Sequence, residues 1–364
     1  MSLRPDETIQ KILISTTSRF IGEYDSDDLL VTHAWGGFAS PFACIRGEEN
    51  PASRNAFIIS FKTEPYSKAT GVVVPDYSPV GDMVCSYLSV LFGKRFDCHG
   101  LLEGSGFFHT PDLNLYNVIC NHRLSFNSHK SRGCVAIPLR LENINALRPL
   151  LDGGVGGEKL VSIIGTACKF YHQALRSAEH DPEVAYLNLI TAGEIMSSCF
   201  EFSDAEVLDS ETISILDNIR FHMEDGEKIA KHLRGRMLSI KKRFVSSLLS
   251  LLASDFFESA ECSHEYCKFK SDVIEANIKA AYDLRSRYVH TGVAFGNWVR
   301  TSSQGEDVQF GRPCVHDKSY ARVLEMAPTF HGLERLIRYC LLRLIEQKGL
   351  GDFSNLPVPI GSDT

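Results

Sequence analysis

Residues 183–200, EVAYLNLITAGEIMSSCF, are apolar around almost the whole circumference of a helix. Such a helix has no solvent face and has to be covered on every side. Asp181 and Pro182 open it as an N-cap acceptor and a proline at the first helical position. The flanking chain therefore has to supply a bundle, and its spacing does so. Leu160, Ile163, Ile164, Ala167, Phe170, Tyr171 and Ala174 share one helical face. Further helices are expected over 210–222, over 228–254 as one long element, and from about Asp272 to Val289. A last one runs from near Ser319 to about Gln347, with Pro328 bending or interrupting it. Residues 158–350 thus read as an all-α domain of five or six helices.

Upstream the pattern is different, and residues 1–152 read as a separate α+β domain. NAFIISFKT (55–63), Gly71 to Val74 and CVAIPLRL (134–141) are strand-like runs, and Val80 to Phe92 has helical spacing. The regions 33–52 and 97–132 carry the Gly, Pro, Asn, Ser and His of loops. DGGVGGE (152–158) is the boundary, a linker or helix start. A phosphate loop is the alternative, but no Lys-Ser/Thr pair follows it. The tail, 351–364, has the Pro, Gly and Ser of a disordered end.

The net charge of −7 argues against non-specific coating of nucleic acid. No apolar run spans a membrane, and the N-terminal segment lacks the features of a signal peptide, so a cytoplasmic protein without a membrane partner is expected. The eleven cysteines are scattered and odd in number, which fits reduced, buried thiols. CSHEYC (262–267) offers Cys262, His264 and Cys267, one ligand short of a zinc site, and no metal or other cofactor is expected. Gly104-Ser105-Gly106 reads as a tight turn, since a nucleophile elbow needs a longer glycine pattern.

The stretch with chemical potential is YDLRSRYVHTG, 282–292. Leu284 and Tyr288 can face the core, and Gly292 stands where a helix ends. Arg285 and His290, five residues apart, lie about 140° apart on an ideal helix. Two readings stand at this point. Cations in a last turn favour the helix dipole and need no further role. Alternatively, a guanidinium binds phosphate beside an acid/base histidine.

RSRYVH (285–290) is an Arg-x4-His motif at a helix end, and it resembles the signature of HEPN domains, helical bundles that often act as ribonucleases. YDLRSRYVHTG is similar to the motif helix of the Apea-like HEPN group, from which it departs by Thr291 before the glycine. AYLNLITAGEIMSS (185–198) resembles the central helix of that family, with Gly193 where leucine is more usual, and LERLIRYCLLRLIE fits the closing helix. The resemblance covers about 155–350.

The resemblance implies a metal-independent endoribonuclease whose two motifs meet in a homodimer cleft. It also implies a defence or toxin effector. Arg285 and His290 would be catalytic, with Ser286, Arg287 and Glu194 auxiliary and Glu194 paired to Arg285. Cleavage beside a ribose 2′-hydroxyl needs a base, an acid and a cation at the developing phosphorane charge, which histidine and arginine can provide. KIAKHLRGRMLSIKKR (228–243) holds seven cations and no acid. Its Lys231, Arg234, Arg236, Lys241, Lys242 and Arg243 form either an RNA-backbone patch or a solvated helix face. The acidic run 201–211 is expected to face away from RNA. The first domain would then receive a protein or ligand trigger. The alternative function is a non-catalytic HEPN-like module that binds RNA, nucleotide or a protein partner.

Overall fold

The computed structural model describes residues 4–35, 54–65, 70–71, 73, 75–153, 157–202, 210–237, 240–302 and 304–353, without the side chains of 117, 210 and 234–237. An antiparallel sheet comes first and a largely helical part follows. The sheet is built from β1 (Thr8–Thr16), β2 (Tyr24–Asp25), β3 (Leu29–His33), β4 (Asn55–Thr63), β5 (Phe96–Gly104) and β6 (Phe107–Phe108), in the order β2-β3-β4-β1-β5-β6. β1 is central and pairs with β4 from Thr8↔Thr63 to Thr16↔Asn55 and with β5 on its other edge. Helix α1 (Ser78–Phe92) packs on β1 and β5.

β4 occupies the expected residues 55–63. Three expectations need correcting. The region 97–132 is not all loop, because β5 and β6 lie within it. The Asp97 and His99 that suggest a loop are buried in β5, where Arg54 and Ser15 provide partners. Residues 134–141 form no strand beyond a single bridge from Arg140 to Ile21. The carbonyls of Cys134 and Val135 accept instead from the buried guanidinium of Arg338. Of the expected strand from Gly71 to Val74, Gly71 lies in a turn and Val73 in no regular element, while 72 and 74 lie outside the described residues. Ser105 and Gly106, with φ of 53° and 84°, make the two-residue turn of the β5–β6 hairpin.

The helical part contains α2 (Arg148–Leu151), α3 (Glu158–Ser177), α4 (Pro182–Ser197), α5 (Ser210–His222), α6 (Gly226–Met237), α7 (Ile240–Leu251), α8 (Ser254–Glu258), α9 (Ile274–Thr291), α10 (Lys318–Met326) and α11 (Phe330–Gln347). α4 begins as its sequence requires, with the Asp181 carboxylate accepting from the Val184 amide at 3.1 Å. It is covered by α3, α7, α9 and α11. The single long helix expected over 228–254 is instead α6, α7 and α8. The last helix is broken at Pro328, and Thr329 starts α11 afresh by accepting from the Gly332 amide at 2.9 Å.

One hydrophobic cluster runs from Ile12 of β1 through α1, α3 and α4 to Leu350, so both parts of the chain share a core. α5 and α6 form a hairpin with a small cluster of its own around Leu216 and Ala230. Among the described residues no helix is long and apolar enough to cross a membrane. The tail beyond 353 and most of 33–52 and 201–211 lie outside the described residues.

Candidate functional site at the end of α9

α9 turns one face inward through Ile274, Asn277, Ile278, Ala281 and Leu284. Asn277 Nδ2 donates to the Met326 carbonyl at 2.7 Å and fixes the helix against the end of α10. The helix ends at Gly292, whose φ of 68° is left-handed and whose amide donates to the Tyr288 carbonyl at 2.8 Å. Leu284 is fully buried, and the Tyr288 ring packs on Phe295 with centroids 5.3 Å apart.

Arg285 leaves the other side of this helix toward α4. Its Nη2 lies 3.4 Å from Glu194 Oε2, and its guanidinium carbon stands 5.6 Å from the centroid of the Tyr282 ring. Arg285 is thus held by an ion pair and an aromatic face, and both still leave part of it in solvent. Burial, and then the Glu194 carboxylate, push the Tyr282 phenol above its ordinary pKa. Gly193 explains how α7 comes so close: a Cβ there would stand 2.4 Å from Phe244 Cε2, so only glycine admits the ring. Phe244 in turn packs on Tyr282 with centroids 5.5 Å apart.

α7 brings part of the basic run to the same place. Lys241 forms an ion pair with Asp283, two residues before Arg285. Arg243 lines a cleft of about 290 Å³ together with Glu194, Ile195, Ser197, Ser198 and Ile240. Lys231 and Lys242 are exposed, while the side chains of Arg234 and Arg236 lie outside the described residues. The structure therefore joins Arg285, Glu194, Lys241 and Arg243 around the α4–α7–α9 junction.

His290 stands apart from them. It is exposed in the last turn of α9 and has no hydrogen bond or ion pair among the described residues. α9 is regular through Thr291, so Arg285 and His290 point about 140° apart, with a rise of about 7.5 Å between them. Ser286 is half-buried and likewise has no hydrogen bond among the described residues.

Arg287 is committed elsewhere. It pairs with Asp317 at 3.1 Å and lies over the Tyr320 ring, its guanidinium carbon 4.1 Å from the centroid. Asp317 is the N-cap of α10, and the Ser319 hydroxyl, the Tyr320 amide and Arg287 hold its carboxyl well below the ordinary range. Arg287 thereby ties α9 to α10. The spacing did not single out Tyr282 and Asp283 as contributors, although both belong to the YDLRS stretch.

Among the described residues no group of three or more His, Cys, Asp or Glu side chains is arranged to hold a metal ion. Comparison with protein-family models, with curated proteins and with solved structures returned no match.

Proposed function

We propose that the chain is a metal-independent endoribonuclease of HEPN type. The observation that carries the reading is the end of α9, where Arg285 is held by Glu194 while His290, one turn on, is left open to solvent. In this reading Arg285 binds the scissile phosphate, with Lys241 and Arg243 adding positive potential along the strand. His290 takes the proton of the ribose 2′-hydroxyl. The 2′-oxygen then forms a bond to phosphorus as the bond to the 5′-oxygen breaks, and the products are a 2′,3′-cyclic phosphate and a 5′-hydroxyl that has gained a proton.

The divergence of Arg285 and His290 on one regular helix favours pairing of two copies, so that the histidine of one faces the arginine of the other. A defence or toxin role follows from the same reading.

The test is cleavage of single-stranded RNA by the full chain, with product ends identified by mass. Cleavage is expected to persist in EDTA. His290→Ala and Arg285→Ala are each expected to lower the rate at least about 100-fold; His290→Ala leaves the melting temperature unchanged, whereas Arg285→Ala lowers it because Glu194 loses its cation. A His290→Ala protein that cuts as fast as the parent removes His290 from the chemistry, and a parent chain that binds RNA without cutting it turns the reading to a non-catalytic RNA-binding module.

A further inference from the structure

A second site lies where the sheet-rich and helix-rich parts meet. Three guanidiniums converge there on the Asp97 carboxylate. Arg54 reaches it at 2.6 Å, Arg95 at 3.1 Å and Arg176 at 3.2 Å. A fourth ion pair, at 3.8 Å, joins Arg95 to Glu179. Glu179 is already occupied, because it accepts from the Asn121 amide at 2.9 Å and from Asn127 Nδ2 at 2.7 Å. Within ion-pairing reach three permanent cations thus meet two carboxylates. Burial works to raise the Asp97 carboxyl, and Arg95 and Arg54 outweigh it, so Asp97 stays ionised. One positive charge is left over; with Arg54 and Arg95 buried at 1% and 2% exposure against Asp97 and Glu179, it falls on Arg176, which is 35% exposed. The unmatched cation is thus the one that an anion from solvent can reach.

The cluster opens onto a cavity of about 430 Å³. Arg95 and Arg176 form part of its wall, His180 and Asn188 add polar groups, and Leu115 and Val118 supply an apolar side. Arg176 is about one-third exposed at this wall and is accessible to a solute. Guanidinium forks match phosphate oxygens, and the volume and mixed lining suit a small organic molecule. We propose that this cavity binds a small phosphate-bearing molecule, with its anionic group on Arg176, the buried Arg95 adding positive potential from behind, and its organic part against Leu115 and Val118. Such a ligand would touch both parts of the chain at once. The proposal stands independently of RNA cleavage at α9.

Titration calorimetry of the full chain with pyrophosphate and with adenosine monophosphate, at constant ionic strength, tests it. At least one probe is expected to bind saturably with one site per chain. Arg176→Gln and Asn188→Ala are each expected to weaken that binding at least about tenfold. If Arg176→Gln fails to fold, Asn188→Ala alone decides. Lack of saturation by either probe at millimolar concentration overturns the proposal. So does unchanged affinity in the folded variants, or loss of binding in Lys242→Gln alone, which would move the anion to α7.

Discussion

At the level of single residues, Gly193 shows how a departure from a pattern acquires a cause. The position is glycine because the Phe244 ring fills the space of a Cβ, 2.4 Å from it, with Ile337 Cδ1 at 3.1 Å. Gly193→Ala overpacks this contact at a cost of about 1–3 kcal/mol, partly offset by about 1 kcal/mol of helix propensity. Urea unfolding should show a net loss of up to about 2 kcal/mol, and adding Phe244→Leu should recover part of it. A Gly193→Ala protein more stable than the parent by the full helix-propensity gain of about 1 kcal/mol would mean that α4 and α7 do not approach this closely. His172 gives a pH signature. It is fully buried in α3, with Nε2 2.7 Å from the Phe96 carbonyl, and burial pushes its pKa down to about 4. The unfolded chain protonates this histidine near pH 6.5, so it binds more protons than the native state between those values. The stability tied to neutral His172 is complete above pH 6.5 and is lost as the pH falls toward 4. The shift corresponds to a loss on the order of 3 kcal/mol. His172→Gln keeps a donor for Phe96 and cannot titrate, so its urea midpoint should fall less steeply between pH 6.5 and 4 than that of the parent. Equal slopes would assign the acid sensitivity to other groups.

At the level of elements, the helices were the legible part. Their apolar faces repeat at helical spacing and Asp181-Pro182 marks the start of α4, but the breaks do not show: nine helices are described between 158 and 350 where five or six are expected, and 228–254 is split among α6, α7 and α8. The strands were less legible. β5 contains Asp97, His99 and Gly100, which read as loop because nothing local reveals that Arg54, Arg95 and Ser15 will pair with the first two. Residues 134–141 failed in the opposite sense: their side chains suit a strand, but Arg338 binds the carbonyls that a ladder would need. The site shows the same division. Arg285, His290 and Gly292 are local in sequence, whereas the partners of Arg287 and Lys241 come from tertiary packing. The α5–α6 hairpin differs from the other helices, since its cluster around Leu216 and Ala230 is separate from the main core. Ile215, Phe221 and Met223 of this region are exposed. Short helices with so little buried surface have low local stability. Native-state hydrogen exchange should show α5 and α6 opening together, well below the free energy of α3, α4 and α11. Protection there equal to that of α4 would mean that the hairpin is held by a contact outside its own cluster.

At the level of the whole molecule, α11 joins the two parts through buried charge rather than through apolar surface alone. Glu334, Arg335 and Arg338 are 0%, 1% and 2% exposed, although in sequence they look like the polar face of a closing helix. Arg338 donates to the carbonyls of Val90 and Leu91 at the end of α1, at 2.9 and 2.6 Å. Arg132 donates to both oxygens of Glu334, at 2.8 and 2.6 Å, and Tyr171 of α3 donates to the same carboxylate. Burial alone would raise the Glu334 carboxyl, but Arg132 more than compensates and holds it below the ordinary range. Arg132 also pairs with Glu261, which lies 3.1 Å from His331. The charges of this network come from distant parts of the sequence, and each is satisfied only when both parts are assembled. A linker composition at 152–158 therefore marks a change of architecture within a shared core. Two consequences follow for unfolding. The described sheet and helices should melt in one transition, with calorimetric and van't Hoff enthalpies equal. Glu334→Gln keeps the shape but leaves Arg132 and its neighbours short of a negative charge in a buried setting. Breaking a buried pair in this way costs about 3–5 kcal/mol, and the loss should appear in the single transition as a whole. Two resolved transitions in the parent would show that the parts unfold independently despite the shared core, and a Glu334→Gln protein as stable as the parent would show that apolar packing holds them together without help from this network.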